Sequence, residues 1–476
     1  MAGWFRSAFR FFLIFFPAAV WGQANNNSAL ITDRLDTSLR IVSEIHIVGN
    51  SITKEHILTR ELTFHKGDTL RLEEIPALLR RSEENLQNLS IFNSVHISYI
   101  DDKFNIQVYI LVTERWYIFP LPIFEIAERN FNVWWKDKDF SRVVYGGVLT
   151  WNNFRGRNEF LAVSARLGYT QRIAFYYNIP YINRQQRAGL TVGYSYSRNH
   201  QAAYATEENQ LLYYKNEILF AKKEVSAYTQ YSYRKSLYQS HMWEASYHLV
   251  DVMDTVLLRN PDYLADGKTP QRYFTLRYFF KSDHRDLVVY PLKGYYLDVD
   301  ISQNGLKFLD DDISIFSINP HVKKFWQLNR KFFFGTGLSG KMSTGSHQPY
   351  YNSRSLGYGR DFLRGYEYYV IDGQQFVLLK TNLKFEILPK HELVAKFIPL
   401  RKFSTIPFAF YLNLYADAGY ASDQQTDLPN PLNNEWQYSY GTGIDFVTYY
   451  DLVFRVEYSL NKLGESGFFI HFTAPI

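Results

Sequence analysis

Apolar and polar residues alternate with a period of two through the back three-quarters of the chain. In one run, Leu452, Phe454 and Val456 share one face, while Arg455 and Glu457 share the other. Such alternation predicts β-strands. Several runs have about ten residues, the length that a tilted strand needs to cross a bilayer. Counting the runs predicts 16 strands, an even number that brings both ends of a closed sheet to the same side of a membrane.

We therefore predict a mainly β protein in which residues 119–476 form a 16-stranded antiparallel transmembrane β-barrel. The alternative is a soluble all-β protein. Aromatic residues make up 18% of the chain, yet the mean hydropathy is only −0.28. Aromatic girdles, an apolar outer face and a polar lumen give a membrane barrel this combination, which favours the barrel.

The first 22 residues have the pattern of a cleaved signal peptide. Arg6 and Arg10 precede an apolar run from residue 11 to residue 20, and Gly22 suits the position before the cleavage site. A membrane anchor helix is the competing interpretation, but the run is too short to span about 30 Å of hydrocarbon and contains Pro17. Residues 23–40 are polar and are expected to form a linker.

Residues 41–115 carry a different pattern, with short strands and two stretches of helical spacing. The order is β-α-α-β-β, which predicts a small α+β domain with a three-stranded sheet. With the run VGNSITKEHILTREL, this order resembles a POTRA domain. The resemblance implies a periplasmic unit that holds client chains by adding a client strand to an exposed sheet edge. A purely structural spacer is the alternative.

A long segment without strand character, residues 343–373, separates predicted strands eleven and twelve. It contains Leu363, Arg364, Gly365 and Tyr366, preceded by the stretch SLGYG. Together with DHRDLVVYPLKGYYLDVDIS and YLNLYADAGY elsewhere, these residues resemble the BamA/TamA-type outer-membrane assembly factor superfamily, also called the bacterial surface antigen family. The resemblance implies that this extracellular loop folds back into the lumen and that its arginine pairs with an acid on the inner wall.

The resemblance also suggests the acid, because YLNLYADAGY looks like the family's strand carrying Asp-Ala-Gly, and parity along the strand checks this suggestion. Because Leu414 belongs to the apolar face, Asp417 must point into the lumen, where it can accept from the planar guanidinium of Arg364. Glu457 and Asp445 also face inward by parity and are the runner-up acceptors. The chain departs from many relatives in having a single POTRA unit, which leaves its branch of the family open.

An insertase needs a sheet edge that can open, and the seam between the first and last strands is the candidate. The first strand, near residues 121–127, has Pro120 and Pro122 at its start, and Pro475 follows the last strand. Proline cannot donate a ladder hydrogen bond, and Gly464 and Gly467 add flexibility. We expect a weak seam there. The alternative is that these prolines and glycines only mark the ends of strands.

The function expected from these features is insertion or folding of β-barrel client proteins in the bacterial outer membrane, with the POTRA domain in the periplasm. The alternatives are a translocase that exports one dedicated partner and a passive diffusion channel. Expected partners are unfolded outer-membrane proteins, the bilayer and its lipopolysaccharide; accessory periplasmic or lipoprotein subunits are left open. The chain has no cysteine and a net charge of +5. No motif indicates a catalytic residue, cofactor, metal or nucleic acid.

Overall fold

The computed structural model describes residues 39–126, 143–307, 313–344, 347–394, 405–425, 428–448 and 452–472. The predicted signal peptide and most of the predicted linker lie outside these ranges. The linker was expected to extend to residue 40, but the first strand already begins at Leu39.

The N-terminal part of the described chain is a small α+β unit, called the front domain below. Its elements are β1 (Leu39–Val48), α1 (Glu55–Thr59), β2 (Thr69–Arg71), α2 (Ile75–Gln87), β3 (Phe92–Asp102) and β4 (Asn105–Glu114). The strand order is β2-β1-β4-β3, with β1 and β4 parallel. The three-stranded sheet expected from the sequence is therefore incomplete: β2 is a fourth strand. Its three residues are too few for a period-two pattern to appear.

The two helices cover one face of this sheet. Ile75, Leu79 and Leu86 on α2 are buried in the core of the front domain, and the proline of this helix lies in its first turn, where a missing N–H costs nothing. Tyr181, which lies beyond the front domain in the chain, is buried in the same core. The front domain thus shares part of its apolar core with the barrel.

The rest of the described chain is dominated by a 16-stranded antiparallel sheet, which confirms the predicted barrel. The sheet contains β5 (Ile118–Ile126), β6 (Val143–Phe154), β7 (Glu159–Gly168), β8 (Thr170–Ile179), β9 (Ala188–Asn199), β12 (Lys222–Arg234), β13 (Gln239–Val252), β14 (Gln271–Asp283), β15 (Gly294–Asn304), β16 (Ile315–Gln327), β17 (Phe332–Thr344), β18 (Gln375–Val394), β19 (Thr405–Ser422), β20 (Trp436–Thr448), β21 (Leu452–Asn461) and β22 (Ser466–His471). A separate hairpin pairs β10 (Gln201–Glu207) with β11 (Gln210–Lys215), and a short helix, α3 (Asp254–Arg259), follows β13.

Burial along the strands is reversed relative to a soluble protein. On β21, Phe454 and Val456 are each 37% exposed, whereas Arg455 and Glu457, which alternate with them, are at most 1% exposed. The apolar face therefore points outward and the charged face inward, as a barrel in lipid requires. None of the helices in the described ranges has the length and hydrophobicity that a membrane-crossing helix requires.

The two ends of the barrel differ. The turns that join β6 to β7, β8 to β9, β12 to β13 and β14 to β15 contact the front domain; this is called the near end. The longer connections, including residues 345–374 between β17 and β18, lie at the opposite, far end. The segment 345–374, whose residues 347–374 are described, is called the lumen loop below.

Candidate functional site

The lumen loop is folded into a compact unit inside the barrel. Antiparallel bridges join Leu356 to Ile371 and Tyr358 to Asp361, so the loop holds its own turns. Arg364 is 0% exposed although it lies in a loop. A fully buried arginine must find several acceptors, because its guanidinium carries five N–H donors and loses its hydration on burial.

Arg364 finds these acceptors on the inner wall. Its Nε donates to Asp417 Oδ2 at 2.7 Å, and its Nη2 donates to Asp417 Oδ1, so the pair is bidentate. Its Nη1 donates to Asn382 Oδ1 at 2.6 Å, and Nη2 also reaches the carbonyl oxygen of Thr381 at 3.1 Å. Arg364 thus pairs with Asp417, the acid expected ahead of Glu457 and Asp445, with neutral acceptors from β18 beside it.

Tyr415 completes the arginine site from the same wall. The guanidinium carbon of Arg364 lies 3.8 Å from the centre of the Tyr415 ring, in cation–π geometry. The Tyr415 hydroxyl is hydrogen-bonded to Ser459 on β21. The loop arginine is therefore connected to three wall strands, β18, β19 and β21.

Gly365 and Tyr366 extend the contact toward the last strands. Gly365 has φ +82°, a conformation that favours glycine, and a Cβ there would lie 3.2 Å from the Cβ of Ser459. Asn461 Nδ2 donates to the Gly365 carbonyl oxygen at 2.9 Å. The Tyr366 hydroxyl donates to Gln437 Oε1 at 3.1 Å. Close backbone approach thus explains the glycine of the tetrapeptide.

Leu363 packs in an apolar cluster beneath the loop, with Leu356, Ile371 and Leu378. Gly419 makes room for it, because a Cβ on this glycine would lie 2.7 Å from Leu363 Cδ1. Leu363, Arg364 and Tyr366 are thus at most 3% exposed. Gly365, the fourth residue of the tetrapeptide, is enclosed by close contacts.

The two runner-up acids have other partners. Arg455, on the neighbouring strand, forms a bidentate pair with Asp445, with Nη2 to Oδ2 at 2.5 Å. Glu457 Oε1 lies 3.1 Å from His471 Nε2 on the last strand. Glu367, three residues after Arg364, lies 3.3 Å from the same nitrogen. Neither acid is the acceptor for the loop arginine.

A turn at the near end also enters the lumen. Tyr290, in the connection between β14 and β15, is 3% exposed, and its hydroxyl donates to Asp445 Oδ2 at 2.6 Å. Its ring packs against Tyr411, with ring centres 4.9 Å apart. Gly294 ends this turn with φ +99°, and a Cβ there would meet the carbonyl oxygen of His284 at 2.1 Å. The lumen thus holds a segment from each end.

The front domain is fixed to the near end by buried polar contacts. Glu61 follows α1 and is 2% exposed; its carboxylate accepts from Arg234 Nη1 at 2.5 Å and Nη2 at 2.6 Å. Asn88, at the end of α2, donates to the Asp286 carbonyl at 3.0 Å and accepts from Val288 N at 3.1 Å. Helix α2 therefore holds the same turn that carries Tyr290.

Glu114 organises a second contact between the domain and the barrel. Its carboxylate accepts from Ser51 Oγ at 2.8 Å and from Thr53 N at 2.7 Å. Burial would raise the pKa of Glu114, but these hydrogen bonds and that of Ile52 hold it below its usual value. Thr53 therefore serves this network instead of capping α1. The adjacent Lys54 N donates to the Gly156 carbonyl in a barrel turn at 2.9 Å.

The β10–β11 hairpin covers the far end. Thr206 Oγ1 donates to Asp372 in the lumen loop, and Tyr358 OH donates to the same carboxylate at 2.6 Å. Burial raises the pKa of Asp372 to about 6, although the two hydrogen bonds act to lower this pKa. Asn209 Nδ2 donates to the Val370 carbonyl at 3.1 Å. The loop is thus held by the hairpin above it as well as by the wall around it.

The family follows from comparison with known proteins. The Omp85 superfamily domain matches residues 153–449, well over half of the chain. This chain belongs to the Omp85 superfamily. The POTRA model, described as a surface antigen variable number repeat, matches residues 41–115. The resemblance noted in the sequence is confirmed, and a barrel of this family with a POTRA domain indicates the outer membrane.

Solved structures show the same Omp85 fold at low identity. BamA from Haemophilus ducreyi lacking POTRA domains 1–3 is 14% identical with a TM-score of 0.50, over 89% of this chain and 81% of that one. CdiB from Escherichia coli is 12% identical with a TM-score of 0.54, over 90% and 75%. A search of curated proteins finds no significant match.

The residues expected at the seam of this Omp85 barrel lie in or beside its terminal strands. Pro120 and Pro122 lie inside β5, opposite Leu149 and Gly147 of β6, and not at its start. In the last hairpin, the expected residues are Gly464 in the turn, with φ +78°, and Gly467 as the second residue of β22. Pro475 lies outside the described residues.

Sequence reasoning missed several members of the site. Arg455 shares the inward face of Glu457, so parity could have identified it as a partner of Asp445. The inward position of Asn382 also follows from parity, since the polar residues of β18 alternate with its apolar ones. Tyr290 carries no such signal, because it lies in a turn whose inward course depends on the whole Omp85 fold.

Proposed function

We propose that this protein inserts and folds β-barrel client proteins in the bacterial outer membrane. The front domain would lie in the periplasm and the lumen loop would enter from the extracellular side. The protein would act without catalysis or cofactor. Its partners would be unfolded outer-membrane proteins and the bilayer with its lipopolysaccharide, with accessory periplasmic or lipoprotein subunits as further candidates.

The observation that carries this proposal is the occupied lumen. The loop around Arg364 is buried from the far end, and the turn around Tyr290 is buried from the near end. Both are held by charged or polar contacts that are costly to break inside a barrel. A client that passed through the lumen would have to displace both segments. A route along the edge of the sheet would leave both in place.

The edge of β5 has a feature that suits such a route. The Tyr117 carbonyl accepts from Asn152 N, and the register continues without a shift along β5 and β6. By the alternation of an antiparallel ladder, Pro120 and Pro122 then face away from β6, toward the outer edge. Proline has no N–H, so this edge lacks two donors for any strand beside it. Among the described residues no ladder joins β5 to β22, and the two missing donors would limit the hydrogen bonds that could close this seam.

The front domain offers a second edge. Strand β3 ends the order β2-β1-β4-β3, so its outer side is where an incoming strand could add to the sheet. A cavity of about 320 Å³ lies between the front domain and the near ends of β18 to β20, with Ser94 of β3 and Phe408 of β19 in its lining. We propose that client segments pass from β3 along this cavity toward the seam between β22 and β5.

Depletion of the protein, followed by a proteomic census of the outer membrane, tests the proposal. Loss of many barrel proteins is expected for an insertase. Loss of one secreted protein and its surface form would instead support a translocase, and an unchanged census would support a channel. As a control, cells expressing a plasmid copy should retain the normal outer-membrane proteome.

A cross-link tests the lateral route itself. The chain has no cysteine, so one cysteine introduced in β5 and one in β22 can form only one disulfide within the chain, which traps the two edges together when they meet. Oxidised cells should lose barrel insertion, and reduction should restore it. A matched pair across β12 and β13, at Tyr231 and Trp243, locks an internal ladder and should have no effect. Full activity in completely cross-linked β5–β22 protein would exclude this route.

A further inference from the structure

Three side chains from separate segments meet beside the loop arginine site. They are Glu367 in the lumen loop, Glu457 on β21 and His471 on β22, and their ligand atoms lie within 4.8 Å of one another. His471 Nε2 lies 3.3 Å from Glu367 Oε1 and 3.1 Å from Glu457 Oε1. One nitrogen thus faces two carboxylates in a buried corner of the lumen.

These distances fit coordination of one metal ion. Zn²⁺ binds imidazole nitrogen and carboxylate oxygen at about 2.0–2.2 Å, so two ligands on a tetrahedral ion lie about 3.4 Å apart. Octahedral geometry brings neighbouring ligands to about 3.0 Å at similar bond lengths. The two nitrogen–oxygen separations fall within this interval. Two of the three separations are therefore those of neighbouring ligands on one ion, and all three ligand atoms lie within 4.8 Å of one another.

Charge in this corner favours a cation. The side chains of Glu367 and Glu457 are at most 3% exposed, and that of His471 is 12% exposed. Arg455 is the adjacent cationic side chain. Its guanidinium already forms the bidentate pair with Asp445, and its Nη1 lies 4.0 Å from Glu457 Oε2. Among the described residues, Glu457 Oε2 has no hydrogen-bond partner. Two buried carboxylates thus converge on one imidazole, with an acceptor oxygen still available.

The surroundings would also keep the imidazole in place. The Phe362 ring stacks on His471, with ring centres 5.4 Å apart and planes 26° apart. Phe362 belongs to the lumen loop, so the loop supplies both a carboxylate and an aromatic wall. A ligand set held by packing before the ion arrives loses little entropy on binding.

We propose that Glu367, Glu457 and His471 form a binding site for a divalent transition-metal ion of the zinc type, with a fourth position for water. The ion joins the lumen loop to the last two strands. It therefore ties the loop to β22, the strand at the end of the sheet order. This site is independent of the identity of any client.

Metal binding is measured on the full-length protein, purified in detergent with a tag that contains no histidine. After treatment with a chelator and dialysis against Zn²⁺, wild type should hold about one zinc ion per chain by elemental analysis. Co²⁺ should give the visible absorption of a low-symmetry nitrogen and oxygen site. Zn²⁺ should also raise the unfolding temperature of wild-type protein.

Two variants and two controls make the test specific. His471→Gln and Glu367→Gln should bind zinc at least tenfold more weakly and lose the thermal shift. The controls are His248→Gln, an inward-facing histidine whose Nε2 lies 3.1 Å from Ser246 Oγ, and Glu244→Gln, which accepts from Gln230. Both should bind zinc as wild type does. Heat-modifiable mobility on gels verifies that each variant is folded.

Several outcomes overturn the proposal. Only trace zinc in saturated wild-type protein would mean that His471 bridges the two carboxylates with a proton instead of a metal. Equal zinc content in wild type and in folded His471→Gln would place the ion elsewhere. Because the wild-type measurement alone can exclude the site, the test remains decisive even if both variants fail to fold.

Discussion

Arg364 directs its guanidinium donors entirely into the protein, toward Asp417, Asn382 and a backbone carbonyl. A residue so enclosed contributes in a particular way. The intact pair is worth little net stability, because both charges lost their hydration, but one charge without the other is costly. The pair therefore adds little net stability but fixes the position of the lumen loop, because moving the loop would separate two buried charges.

The first prediction follows from this asymmetry. Arg364→Ala leaves the Asp417 carboxylate buried without its main partner, and we expect it to lower the free energy of unfolding by about 3–5 kcal/mol. Urea unfolding in detergent measures this. Arg330→Ala, at an exposed arginine in a turn, should change it by less than about 0.5 kcal/mol. Similar losses in the two variants would contradict the buried-pair argument.

The second residue-scale prediction concerns Glu114. Its pKa is lowered in the folded state, so its stabilising effect is present above the unfolded pKa, near 4.3, and is lost as pH falls through the folded value. Glu114→Gln should destabilise the front domain by about 1–3 kcal/mol at neutral pH, with a smaller loss at acidic pH. Protection of amides 50–54 against hydrogen exchange, relative to the intrinsic rate at each pH and compared between variant and wild type at pH 3 and pH 7, measures this. A variant with an unchanged pH profile would exclude the proposed network.

At the scale of elements, the turn between β14 and β15 joins two parts of the molecule. Its backbone contacts Asn88 on α2, and its Tyr290 contacts Asp445 in the lumen. Arg455 then connects Asp445 to the neighbourhood of Glu457. A continuous series of polar contacts thus runs from the front domain to the strands at the end of the sheet.

Tyr290→Phe tests this connection, because it removes one hydroxyl and keeps the ring. Loss of the hydrogen bond to a buried carboxylate should cost about 1–3 kcal/mol, and hydrogen exchange should rise in both the turn and the end of α2. Tyr440→Phe, at a ring that is 54% exposed, is the control and should have no effect. Faster exchange confined to the turn would mean that the front domain is not coupled through Tyr290.

The hairpin and the lumen loop should separate more readily as pH rises. Asp372 has a pKa raised to about 6, so its contribution is complete below its ordinary value near 3.9 and is lost as pH rises through about 6. After correction for the intrinsic exchange rate at each pH, the protection of amides in residues 201–215 should therefore be lower at pH 7.5 than at pH 4.5. Asp372→Asn should remove most of this difference. A hairpin equally protected at both pH values in wild type would refute the prediction.

For the molecule as a whole, both segments in the lumen should prevent free diffusion. We expect low conductance for wild-type protein in planar bilayers. Deletion of residues 347–372 should raise it severalfold, since the loop is buried within the barrel. A large, stable wild-type conductance that the deletion does not change would indicate an open channel. Replacement of residues 217–219 with glycine and serine, in an exposed connection, is the control.

The barrel was predictable because its physics is local. Each strand must alternate lipid-facing and lumen-facing residues, so parity gave the inward position of Asp417, and a count of the alternating runs gave the number of strands. The path of a loop, in contrast, depends on contacts with residues that are far away in the sequence. Tyr290 and the β10–β11 hairpin occupy positions set by distant contacts: Asp445 is 155 residues from Tyr290, and Asn430 is 224 residues from Thr206 in the hairpin. No short pattern reports such contacts, so the inward position of Tyr290 and the hairpin over the lumen were not predicted from sequence.

The partners of the lumen loop have a consequence for biogenesis. Asp417, Gln437, Ser459 and Asn461 all come later in the chain than Arg364. The wall contacts of the loop therefore cannot form until the strands that follow it in the chain have been delivered. A chain truncated before β19 would lack Asp417 and every later partner, and its loop would have no buried acid to bind.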